Sequence, residues 1–206
     1  MQAQFIVVEG IEGAGKTTAI RHIEAFFQKK KVNYILTREP GGTEMAERIR
    51  EIIKAEYSNE KILAETEVLL LYAARLQLVY NVIKPALKNN IWVISDRHDL
   101  STIAYQSGGR GVEQNVISNI KQTVLGDFSF DLCLYLDITP QTGLQRALNR
   151  GKLDRIEQES LEFFARIRSK YLELAQSNNK IITIDANQTE DQVKTEILDI
   201  LNRIYG

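Results

Sequence analysis

Gly10-Ile11-Glu12-Gly13-Ala14-Gly15-Lys16-Thr17 satisfies G-x-x-x-x-G-K-[ST] without a mismatch. Residues of these types at this spacing do anion chemistry. Glycines allow successive backbone N–H groups to turn inward, and a helix beginning at the lysine adds the positive end of its dipole. Both flanks suit that geometry. Phe5-Ile6-Val7-Val8 reads as a buried strand, and Thr17 to Ile23 reads as the first turns of a helix. Lys16 then reaches the outer phosphates of a nucleoside triphosphate, and the Thr17 hydroxyl ligates Mg²⁺. The phosphate site runs through Gly10, Ile11, Glu12, Gly13, Ala14, Gly15, Lys16, Thr17 and Thr18.

Two further clusters carry charge. Arg38-Glu39-Pro40-Gly41-Gly42-Thr43 is a turn fixed by proline and two glycines, with an arginine whose planar fork suits a phosphate. Glu39 is placed to orient that arginine or to touch a metal shell through water. Asp96-Arg97-His98-Asp99 follows the apolar run Ile91–Ser95. Asp96 therefore ends a buried strand, as a metal-orienting aspartate does in P-loop enzymes, and Arg97 brings positive charge to the same place. His98 reads as a packing residue rather than a base.

Apolar runs of strand length recur at 4–8, 33–37, 91–95, 131–136 and 180–184, separated by segments of helical pattern. This alternation predicts an α/β fold, a five-stranded parallel sheet flanked by helices on both faces. Ligands of such sheets sit at the carboxyl ends of the strands, where all three clusters fall. With 206 residues, three prolines and no repeat or low-complexity linker, the chain reads as one domain spanning 1–206.

Glu12, the Arg38–Thr43 turn, Tyr72-Ala73-Ala74-Arg75 and Asp96-Arg97-His98-Asp99-Leu100-Ser101-Thr102 together resemble the thymidylate kinase family, from the first strand to the last helix. The resemblance implies a P-loop NTPase fold of the nucleoside monophosphate kinase kind. It implies transfer of a phosphoryl group from ATP to dTMP with Mg²⁺, by a homodimer. Arg38 and Arg97 match the pair that holds the dTMP phosphate, and Asp96 the residue that orients the metal and Arg97. Glu12 stands where the family meets the 3′-hydroxyl, and Arg75 where it reads thymine. Pro40, Ser101, Thr102, Tyr105 and Gln106 fall in segments that enclose the acceptor. One position departs: the family commonly stacks a phenylalanine on the base four residues before the arginine, and here stands Leu71. Tyr72 is about 100° away around the helix and does not simply take its place.

Arg146 and Arg150 share a helical face, Gly151 interrupts the helix, and Arg155 follows. This stretch, about 146–157, looks like the lid of a monophosphate kinase. Related enzymes carry a catalytic arginine either in the P-loop or, mostly in bacteria, in the lid. This P-loop has none, so Arg150 is assigned to the transferring phosphoryl group, and Arg146 to adenine or the triphosphate. Lys16, Arg97 and Arg150 form the expected catalytic set. Asp185-Ala186-Asn187 is placed near adenine, while Asp127, Glu157, Glu159 and Glu162 read as surface or helix-end charges.

A net charge of −1 gives no reason to expect nucleic acid or an anionic membrane as partner. Apolar runs are too short to span a bilayer, and no signal sequence opens the chain. The one cysteine, Cys133, sits in a strand-like run and reads as core packing, consistent with a cytoplasmic protein. Two rival classes fit less of the chain. A GTP switch would want Asp-x-x-Gly and Asn-Lys-x-Asp elements, which are missing; a non-enzymatic ATP-binding module would not need Arg38, Arg75 and Arg97. Another nucleoside monophosphate kinase is the nearest alternative. The apolar helical run Glu65–Val82 is either an interface or core.

Overall fold

Each of the five strands among the described residues ends on an ionisable residue, and all five ends lie along one edge of a parallel sheet. The computed structural model describes residues 2–149, 151 and 154–206. Its strands are β1 (Phe5–Glu9), β2 (Tyr34–Arg38), β3 (Trp92–Asp96), β4 (Leu132–Asp137) and β5 (Ile181–Asp185), in the order β2-β3-β1-β4-β5. Each begins one residue later than the apolar runs suggest. Each also ends one residue later, on a terminal Glu, Arg or Asp that an apolar count stops short of. The register is parallel throughout, with Val8 beside Asp96, Arg38 beside Asp96, and Asp137 beside Asp185.

The helices are α1 (Lys16–Lys30), α2 (Glu44–Lys54), α3 (Ala64–Leu78), α4 (Lys84–Lys88), α5 (Asp99–Thr102), α6 (Gln114–Leu125), α7 (Pro140–Leu148), α8 (Leu161–Ser177) and α9 (Glu190–Tyr205). They cover both faces, so the central strands read as unbroken apolar runs rather than alternating ones. Phe5 to Val8, Val93, Ile94 and Leu134 are fully buried in the main core. A second, smaller core joins α2 to α3 through Ala46, Ile49, Ile53 and Ala74, with Leu70, Leu71 and Ile156 packed against it.

The helical run at 65–82 is in fact α3 followed by a π-helical turn, Val79–Ile83. Its inner face is core (Val68, Tyr72, Leu78), while Leu69 is 58% and Tyr80 53% exposed. A second π-helical turn, Ile103–Gly109, continues α5 and carries Tyr105 and Gln106. Such turns widen a helix locally and recur at functional sites. Cys133 is buried in β4 and apolar surroundings hold its thiol protonated, its pKa raised. Among the described residues no helix is long and apolar enough to cross a membrane.

Candidate active site

A cleft of about 520 Å³ opens at the carboxyl ends of β1, β2 and β3. On one side stands the loop from Gly10 to Gly15. Gly13 has φ +73°, and a Cβ there would overlap the carbonyl oxygen of Gly143 in α7. From the other side, a Cβ on Gly143 would lie 2.6 Å from the Glu12 carbonyl oxygen. The loop is thus seated backbone to backbone on α7. Helix α1 starts without a side-chain cap or an acidic residue in its first turn, which leaves its N–H groups and dipole to an anion.

Lys16 donates from Nζ to the carbonyl oxygens of Gly10 (3.0 Å) and Ile11 (3.1 Å). Burial, and after it the charge of Arg97, brings its pKa down to about 8. Glu12, Gly13, Gly15, Lys16, Thr17 and Thr18 line the cleft. Gly10, Ile11 and Ala14 are buried beneath it.

Arg97 sits at φ +71°, a left-handed conformation that a non-glycine residue adopts at a cost. Its surroundings hold it there. Its backbone N–H donates to Val8 O, Nη2 donates to Glu12 Oε1 (2.8 Å) and Tyr105 Oη (3.1 Å), and Nη1 donates to Ser101 Oγ (3.0 Å). Tyr105 in turn donates to Glu12 Oε2 at 2.6 Å. Below this layer lies Glu9, which the sequence reading did not single out. Its carboxylate accepts from the backbone of His98 and Ser101, from Ser101 Oγ (2.6 Å) and from Tyr171 Oη (2.8 Å). Burial raises the pKa of Glu9.

Asp96 lines the cleft beside Thr17, and its Oδ1 is buried without a hydrogen-bond partner. A carboxylate oxygen left bare in this way, near a hydroxyl and a phosphate loop, fits a hard cation that takes oxygen ligands. Mg²⁺ needs only one or two protein oxygens when phosphates supply others, so Asp96 and Thr17 suffice as a donor set. No group of three His, Cys, Asp or Glu side chains suited to a metal occurs among the described residues.

On the opposite wall, Glu39 has a different role from the one its neighbours suggest. It does not orient Arg38. It accepts from Arg75 Nε (2.7 Å) and faces His98 Nδ1 (2.7 Å), all three side chains being almost fully buried. The charges of Arg75 and His98 outweigh burial and hold its pKa low. Arg75 also donates from Nη2 to Thr102 Oγ1 (2.9 Å) and the His98 carbonyl, and its Nη1 has no hydrogen-bond partner. Tyr72 is buried under that guanidinium with its hydroxyl on Asp99 Oδ1 (2.6 Å), so it is Leu71 that lines the cleft. Pro40, Ser101, Thr102, Tyr105 and Gln106 line it too. Arg75 does not; it stands behind that wall.

Arg38 is placed differently from Arg97. It pairs with Glu47 Oε2 at 2.7 Å, is 54% exposed, and lies outside the cleft lining. The nearby cleft cation is Arg50 of α2, which the sequence reading missed. It donates from Nη1 to the Pro40 carbonyl (3.0 Å), and burial and the charges of Arg38 and Arg97 lower its pKa. No local signal marks Arg50, because its spacing along α2 is that of an ordinary surface position.

Arg146, in the last turn of α7, lines the cleft and donates to Ala186 O at 3.1 Å, while Asn187 Oδ1 accepts from the Thr139 backbone. The Asp185–Asn187 loop therefore borders the cleft through Arg146. Arg150 lies outside the described residues. Arg155 is committed elsewhere: it donates to Ile53 O and to Glu67 Oε1 (2.6 Å). Of the acidic residues read as surface charge, Asp127 is exposed, Glu157 lines the cleft, and Glu159 pairs with Arg110.

The thymidylate kinase family model matches residues 8–197 of this chain. A curated thymidylate kinase from Pseudoalteromonas translucida (strain TAC 125) is 51% identical over 206 residues, covering 100% of this chain and 99% of that protein.

Proposed function

The chain belongs to the thymidylate kinase family, and from that membership we propose that its cleft transfers the γ-phosphoryl group of ATP to dTMP, giving ADP and dTDP. The observation that carries this reading beyond a bare P-loop is the Glu12–Arg97 pair. It links the triphosphate loop to a second polar wall built for another anion and a sugar. An oxygen of the acceptor phosphate attacks the γ-phosphorus, and the β–γ bridging oxygen leaves with ADP. That nucleophile is already anionic, so no strong base is required, and positioning with charge stabilisation supplies the catalysis.

Each residue has a task in this reading. The Gly10–Gly15 backbone and Lys16 hold the β- and γ-phosphates, with Thr18 and Arg146 at the rim. Thr17 and Asp96 would hold Mg²⁺, which when bound would neutralise charge on the phosphates. Arg97 and Arg50 grip the acceptor phosphate, while Arg38 acts on it through the Glu47-braced turn that presents Pro40. Glu12 receives the 3′-hydroxyl, and Leu71 covers the base with an aliphatic face. Thr102 and Gln106 meet the base edge, and Arg75, aligned by Glu39 behind that wall, acts on it by holding Thr102. Arg150 meets the charge developing on the transferring group. Residues 1–206 act as one domain.

Leu69 of α3 and Tyr80 of the π-helical turn that follows are exposed, with Leu76 half-buried, and leave an apolar stripe along this stretch, while α3 packs on α2 and α6. That stripe supports a homodimer, and sedimentation velocity tests it. A single buried thiol suits a reducing cytoplasm. The enzymatic reading is tested by following phosphoryl transfer from ATP to a panel of nucleoside monophosphates. A clear preference for dTMP is expected. Equal use of dCMP or AMP would move the chain to a different acceptor, and ATP hydrolysis indifferent to every monophosphate would overturn the kinase reading.

A further inference from the structure

Glu67 of α3 is 1% exposed, yet it carries none of the roles above. Its carboxylate gathers three cationic or amide donors from two segments, the Ile103–Gly109 turn with its following residue and the stretch at 154–157. Arg155 Nη2 donates to Oε1 at 2.6 Å, Gln106 Nε2 to Oε2 at 3.0 Å, and Arg110 Nε to Oε2 at 3.4 Å. Gln106 lines the cleft on the acceptor side, and its own Oε1 is buried with no partner. Arg155 belongs to the segment whose Asp154, Ile156 and Glu157 line the same cleft. That segment is tied down further by Lys54 on Asp154 (2.7 Å) and by Ile156 against the α2–α3 core.

Burying a carboxylate among two arginines and an amide is costly unless every partner is in place. A change in any one of the three therefore alters the fit of the others. We propose that Glu67 is a positioning residue for phosphoryl transfer, coupling the acceptor pocket at Gln106 to the placement of the 154–157 wall through Arg155. The proposal rests on the kinase reading above. A nucleotide that fixes the Gln106 amide by engaging its free oxygen fixes Nε2 towards Glu67, which steadies the carboxylate for Arg155. Acceptor and donor then favour each other's binding.

Calorimetry on the full chain tests this. In the wild-type protein, a saturating non-hydrolysable ATP analogue with Mg²⁺ is expected to tighten dTMP binding about fivefold or more, and dTMP to tighten the analogue equally. Glu67→Gln should bring that factor close to one and lower kcat about tenfold or more. Arg155→Met, at a more exposed position, should do the same if Glu67→Gln folds poorly. The double variant should lose little beyond the worse single one, because both break one linkage. A purely structural role would lower the melting temperature of these variants and leave the coupling factor intact. That result, or a wild-type protein with no coupling, overturns the assignment while leaving the kinase reading standing. Failure of the wild-type protein to phosphorylate dTMP would instead overturn the kinase reading and the assignment that rests on it.

Discussion

Arg97 Nη2 stands 2.8 Å from Glu12 Oε1, joining the end of β3 to the phosphate loop across the cleft floor. Tyr105 closes the arrangement by bonding to both residues. A guanidinium so placed is fixed through both terminal nitrogens, Nη2 on Glu12 and Tyr105 and Nη1 on Ser101, and it lines the cleft where an acceptor phosphate would sit. Arg97→Ala should weaken dTMP binding by about 2–4 kcal/mol, as loss of a charge-assisted contact in a partly buried site does. Arg50→Ala should act in the same direction. Arg38→Ala should cost less than about 1 kcal/mol, because that side chain is exposed and paired with Glu47. Titration calorimetry with dTMP and with ATP separates the cases, and equal losses for both nucleotides would assign these arginines to the fold.

Glu12 has both carboxylate oxygens engaged, one by Arg97 and one by Tyr105. A 3′-hydroxyl reaching Glu12 adds a donor to a group that is already aligned. The 3′-deoxy analogue of dTMP should therefore be phosphorylated more slowly, and Glu12→Gln should narrow the difference. Matching rates for the two substrates in the wild-type enzyme would remove Glu12 from sugar recognition.

Lys16 offers a pH-dependent signature. Its pKa is lowered to about 8, so the free protein loses this proton as pH rises through 8, well before an unfolded lysine would. Folded protein then binds fewer protons than unfolded between about 8 and 10.5, and this group's unfavourable contribution to stability fades across that window. ATP binding restores the charge. Proton uptake on ATP binding near pH 8.5, seen as a dependence of the calorimetric heat on buffer ionisation enthalpy, is expected. It should vanish in Lys16→Ala, whose turnover should fall by orders of magnitude. Heats independent of buffer would mean that Lys16 stays charged in the free protein.

Arg150→Ala should reduce kcat by about 10²–10⁴-fold with little change in the dissociation constants for ATP and dTMP, since its contact belongs to the transition state. Arg150→Lys should recover part of the rate, because an ammonium lacks the planar fork. Wild-type kcat in Arg150→Ala would shift the role to Arg146, the arginine of this stretch that lines the cleft, as Arg155 is taken up by Glu67 and Ile53.

The sheet and its order of elements were legible because parallel strands buried on both faces leave unbroken apolar runs, and the phosphate loop because its glycines must lie close together at fixed spacing in the chain to do their work. Residues that act through tertiary contact left no such trace. Glu9 and Glu67 look like any carboxylate at the edge of an apolar run or on a helix, and only the packing of Tyr171, Ser101, Gln106 and Arg155 around them gives them a role. Glu39 was read by its neighbour in sequence, Arg38, whereas its partner is Arg75, thirty-six residues away. Leu71 against Tyr72 came out as helix geometry required, since adjacent positions on α3 face different surroundings.

Gly13 leaves a space that the Gly143 backbone fills, and Gly143 leaves one that the Glu12 carbonyl fills. A methyl group added at position 143 would not merely crowd a helix. It would press on the Glu12 carbonyl and so displace the carboxylate that meets Arg97. The tolerance of this enzyme to change is therefore shared between two positions far apart in the chain. A screen for inactive variants would recover Gly143 alongside the phosphate-loop glycines, although it does not line the cleft, and a suppressor would have to move the whole of α7 outward rather than repair a single side chain.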